Sequence, residues 1–171
     1  MEDAMLKHLL LCAALTTPAL ASAIIESQSE YGTPEEAQAM LTRAIGAVKG
    51  DKTAAINRFN HNDPSFRDRD LFVFCFNSRD GKLTAHEAFV GSDVRALVDR
   101  GGKHFGGEMF AAPADGRLTE VAYLSTVPGK FSQALKRAYV TRIGDQVCGV
   151  SAYLLKNPEE QTQCGACNEA P

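Results

Sequence analysis

The chain has 171 residues, 44% hydrophobic and 23% charged, with a net charge of −3. That composition is globular, and the length suits one domain with a core rather than two. The weak negative balance lacks the basic footprint of a nucleic-acid binder, and no Walker loop or dinucleotide glycine fingerprint occurs.

Residues 1–23 read as a cleaved signal peptide. Lys7 precedes an apolar run from Leu9 to Leu20, and Ala19-Leu20-Ala21 and Ala21-Ser22-Ala23 fit the small-x-small cleavage pattern. The run falls short of the roughly 20 apolar residues that cross a bilayer. The expected location is therefore an oxidising space, periplasmic or secreted. The expected domain is 24–156, followed by a polar tail, 157–171.

Thr33, Pro34 and Glu36 make a capping box with proline in the first turn, which starts a helix. Ala37, Met40, Leu41, Ala44, Ile45 and Val48 form one apolar stripe, and Gly50 is its natural stop. A second helix near 52–59 should bury Ala55, Ile56 and Phe59. The polar segment "NHNDPSFRDRD" reads as a loop.

A strand is expected over 70–76. Side chains alternate along it, so Phe72, Phe74 and Phe76 take one face and Leu71, Val73 and Cys75 the other. Both faces are apolar and both need a cover. Asp80-Gly81 supplies a hairpin turn into a return strand, 82–87. "GSDVRALVDRGGKHFGGEMFAAP" then reads as a crossover of short helices broken by glycine pairs. Three more strands follow, at about 117–125, 134–143 and 146–155. The class is α+β: a five-stranded antiparallel sheet with a long N-terminal helix on one face and a short-helix crossover on the other. A cover made of short pieces leaves a cleft.

His86 closes the return strand and enters the crossover, where it can donate to an anion or act as a pH-sensitive contact. Lys136 and Tyr139 are three apart on one strand, so they point to opposite faces unless a bulge intervenes. An unpaired buried ammonium is costly, and a bound carboxylate would relieve that cost at Lys136. The alternative is that Lys136 snorkels to solvent at a sheet edge. Phe105 and Tyr123 can wall a small cavity or simply fill the core.

The mature part holds four cysteines. Cys75 and Cys148 can be bridged if their strands are neighbours, and the simpler reading is two small buried hydrophobes. Cys164 and Cys167 form C-x-x-C, which admits redox exchange, metal or haem attachment. Residue 168 is Asn, where covalent haem wants histidine. The simpler reading is a local disulfide. No histidine pair has metal-ligand spacing and no carboxylate cluster accompanies one, so neither metal nor cofactor is expected. No nucleophile or acid–base constellation marks an enzyme.

At "FRDRDLFVFCFNSRDGKLTAHE", "VGSDV", "GKHF" and "KRAYVTRIGDQVCGVSAYL" the chain resembles the single Cache domain family of extracellular sensor modules. The resemblance rests on Phe72 to Phe74, Asp80-Gly81, Ala85-His86, Gly91, the run Gly102 to Phe105, Tyr123, Lys136 with Tyr139, and Gly149 to Tyr153. It covers roughly 33–155. The family's tryptophans are absent, and "STVPGKFSQ" stands in their place. The resemblance implies a PAS-like sheet and a pocket for small metabolites, often short carboxylates. Its pocket positions map onto Phe74, His86, Phe105, Tyr123, Lys136 and Tyr139. Many relatives continue into a transmembrane helix and a kinase or chemotaxis module; here neither is expected. The expected role is a soluble ligand-presenting subunit for a membrane receptor or kinase, with a C-x-x-C redox accessory as the alternative.

Overall fold

The computed structural model describes residues 30–111 and 115–154. Its first element is α1 (Pro34–Gly50), started by the capping box. Thr33 Oγ1 accepts from the Glu36 N–H at 3.2 Å, and Glu36 Oε2 accepts from the Thr33 N–H at 2.7 Å. Ala37, Met40, Leu41, Ala44 and Val48 are buried along one stripe, each large side chain contributing about 1.5–3 kcal/mol of transfer energy. Asp51 ends α1 and caps α2 (Lys52–Asn60) by accepting from the Ala54 N–H.

Strand β1 (Arg67–Asp68) turns tightly into β2 (Leu71–Asn77), with Asp68 opposite Leu71. Arg69 sits in the turn with φ of 52°, a left-handed conformation uncommon outside glycine. Strand β3 (Leu83–Ala85) returns beside β2. The crossover holds a 3₁₀ turn (Val94–Ala96) and α3 (Phe105–Ala111). Strands β4 (Thr119–Thr126), β5 (Gln133–Ile143) and β6 (Gln146–Tyr153) complete an antiparallel sheet of order β1-β2-β6-β5-β4, with β3 on the same edge of β2 as β1. The α+β class and the five expected strands are present. The two-residue β1 is an addition, hidden in the sequence because its turn carries no glycine.

The last strand lies beside the first long one, so β2 and β6 share the middle of the sheet. Leu71, Val73 and Cys75 face α1 with Val150, Ala152 and Tyr139. Phe74 and Phe76 face the crossover with Val94, Met109, Val121 and Val140. Each face of β2 thus has its cover, as the alternation requires.

Two expectations need correction. Cys75 and Cys148 stand directly opposite each other, Cα atoms 4.1 Å apart, and form a disulfide rather than two free buried residues. The return strand is shorter than expected, which leaves His86 just beyond it. His86 instead gives its N–H to Asn60 Oδ1, while its Nδ1 accepts from the Ala88 N–H at 3.0 Å. The segment expected to be a signal peptide, 1–23, and Cys164 and Cys167 lie outside the described residues.

Candidate functional site

The face of the sheet turned to the crossover is not fully filled. A cavity of about 570 Å³ opens there, between β2, β4 and β5 on one side and the crossover on the other. Its walls are mostly apolar. Phe74 lies on the sheet opposite Gly149, where a Cβ would come within 2.5 Å of the ring. The bare glycine backbone gives that ring its seat. Phe105 stacks on Tyr123 with centroids 4.1 Å apart and planes 5° from parallel. Asp99 holds this side of the crossover against the sheet. Its carboxylate accepts from the Leu124, Lys103 and Gly101 N–H groups, which lowers its pKa.

One end of the cavity is polar. Lys136 is paired across the strands with Tyr123 on β4 and Tyr153 on β6. Its Nζ lies 4.3 Å from the centre of the Tyr153 ring, a cation–π contact. The Lys136 side chain is 9% exposed, in the middle of the sheet, so it does not snorkel at an edge. Its pKa is lowered because burial disfavours the ammonium, with Asp70 opposing.

Asp70 is the counter-charge. Its side chain is 7% exposed and Oδ2 lies 3.6 Å from Lys136 Nζ, too far for a hydrogen bond. Oδ1 accepts from the Gly32 N–H at 2.7 Å, while Oδ2 is buried without a hydrogen-bond partner. The ion pair is therefore loose, and Lys136 keeps donor capacity for an acceptor that enters the cavity.

Tyr123 gives its O–H to Ser151 Oγ at 3.2 Å. Burial pushes its pKa up to about 12, so it stays neutral. His86 lies between Phe72 and Phe89, with ring centroids 5.3 and 5.0 Å away. Burial lowers its pKa; Glu87 opposes and the Lys136 charge adds to the lowering. With Nδ1 accepting, the neutral ring carries its proton on Nε2.

The cavity brings together Phe74, His86, Phe105, Tyr123 and Lys136. Tyr139 is not among them. The strand alternation sends it to the opposite face, where it is 1% exposed in the core under α1. Sequence reasoning missed Asp70, Ser151 and Tyr31. Tyr31 closes the rim: its ring packs edge-on to Tyr153 and its O–H reaches Pro128 O at 3.4 Å. In "RDRD" nothing separates the buried Asp70 from the exposed Asp68 until the turn at Arg69 is known. Among the described residues no group of three or more His, Cys, Asp or Glu is placed to hold a metal. The arrangement offers one buried positive charge and hydrogen-bond donors above an apolar floor, which is a means of holding an anion.

No family model and no curated protein matches the chain. Among solved structures it is similar to one described as a periplasmic sensor domain of a chemotaxis protein. The TM-score is 0.53 at 18% identity, over 71% of this chain and 90% of that one. It is also similar to a structure described as the basis for carboxylic acid recognition by a Cache chemosensory domain. There the TM-score is 0.51 at 17% identity, over 71% and 88% of the two chains. This sheet and its two covers are a fold that the chain shares with both of these sensor-domain structures.

Proposed function

We propose that the protein is an exported Cache-like sensor domain that binds a small carboxylate metabolite and presents its ligand state to a membrane signalling partner. The observation that carries this reading is the buried Lys136 ammonium, loosely paired with Asp70 at one end of an apolar cavity. A carboxylate placed there supplies the acceptor that Asp70 does not, in a site where low dielectric strengthens the attraction. His86 stands nearby as a neutral Nε2–H donor, and Ser151, whose Oγ accepts from Tyr123, keeps its own O–H to give. The fold shared with a domain described as recognising carboxylic acids supports the same chemistry.

The test is thermal unfolding against a panel of carboxylates, with calorimetric titration at 20 °C. A ligand at a hundred times its dissociation constant should add about 2.7 kcal/mol, a shift of a few degrees. Lys136→Met should abolish the calorimetric signal while unfolding stays cooperative. Equal binding by the wild type and Lys136→Met would overturn the assignment.

A further inference from the structure

We infer that the ligand is an amphipathic monocarboxylate, with an aryl or medium-length alkyl body, rather than an acid of two or three carbons. This rests on the carboxylate reading above and deepens it. Three observations carry it.

The first is size. A volume of about 570 Å³ falls in the range of roughly 300–1,000 Å³ that houses drug-sized ligands. An acid of two or three carbons, held at Lys136, would leave most of the wall wet.

The second is the composition of that wall. Away from Lys136 the lining is Phe74, Leu83, Val94, Leu97, Met109 and the stacked Phe105–Tyr123 pair. These residues come from the sheet and the crossover alike, so a bound body would be clasped on both sides. An alkyl or aryl group gains from each methylene it buries here.

The third is charge. The polar end has one ammonium, already facing Asp70, and can take one carboxylate. The other cations of the lining are engaged: Arg67 pairs with Glu87 at 3.2 Å, and Arg69 pairs with Asp68 and Glu36. A second carboxylate would meet either the apolar wall, where burying it is costly, or these occupied pairs.

The experiment is calorimetric titration of the full chain with acetate, butanoate, hexanoate, octanoate and 3-phenylpropionate, and with adipate and 1-hexanol. Affinity should tighten about fourfold per added methylene through hexanoate. The 3-phenylpropionate should bind at least as tightly as hexanoate, and adipate at least tenfold more weakly. Phe105→Ala should flatten the chain-length dependence without abolishing acetate binding. Acetate binding as tightly as hexanoate, or adipate more tightly, overturns the inference and leaves the carboxylate reading intact. Hexanol equal to hexanoate sinks the charge-reading role of Lys136 and keeps the apolar body. No binding by any acid overturns both.

Discussion

Removing the bridge with Cys75→Ala/Cys148→Ala should destabilise the domain by about 4.4 kcal/mol. The bond closes a chain segment of 73 residues, and the loop-closure relation for a ring of that length gives this figure at 25 °C. Against a total stability of roughly 5–15 kcal/mol, such a loss is a large fraction. For a domain of roughly 120 residues the unfolding entropy is about 0.25 kcal/mol/K, so the melting temperature should fall by about 17 °C. The chain has no tryptophan, so urea unfolding is followed by far-UV circular dichroism. Both cysteines are 0% exposed. Reductant should therefore act on the wild type only through opening of the sheet, and in denaturant should bring its transition to that of the variant. A loss below about 1 kcal/mol would refute the reasoning, because the unfolded chain would then not be gaining the freedom the bridge denies it.

His86 should make the wild type acid-sensitive. Burial depresses its folded pKa below the ordinary 6.5, so its contribution is complete above 6.5 and is lost as pH falls through the folded value. Urea midpoints between pH 7 and 5 should therefore decline more steeply in the wild type than in His86→Gln; equal slopes would contradict this. Tyr139→Leu should cost about 1–3 kcal/mol through the cavity left under α1 while changing carboxylate affinity less than twofold. A loss of binding like that of Lys136→Met would refute the assignment of Tyr139 to the far face.

What was legible in the sequence was local and periodic. The stripe from Ala37 to Val48, the box at Thr33 and Glu36, and the alternation along β2 each follow from spacing alone, and each is found where spacing puts it. The same alternation divides Lys136 from Tyr139, although a family pattern that groups the two had suggested otherwise. Pairings across distance were not legible. The register that sets Cys75 against Cys148 depends on β6 inserting beside β2, which no local signal dictates. Asp70 meets Lys136 only because a glycine-free turn aims it inward and because Gly32, at the entry to α1, gives it a hydrogen bond. Ion pairs made by a turn and a strand 66 positions apart leave no periodic trace.

The contact between Tyr31 and Tyr153, with ring centroids 5.6 Å apart, makes the described fold almost a closed circuit. The described residues begin beside the first ring, which lines the cavity, and end beside the second. For the same reason a short linker could join residue 154 to residue 30, and new ends could be opened at the Gly129 turn of the β4–β5 hairpin. The permuted chain would keep every long strand whole. Both ends of the described fold thus lie on the side where Tyr31 lines the cavity and Tyr153 packs against Lys136.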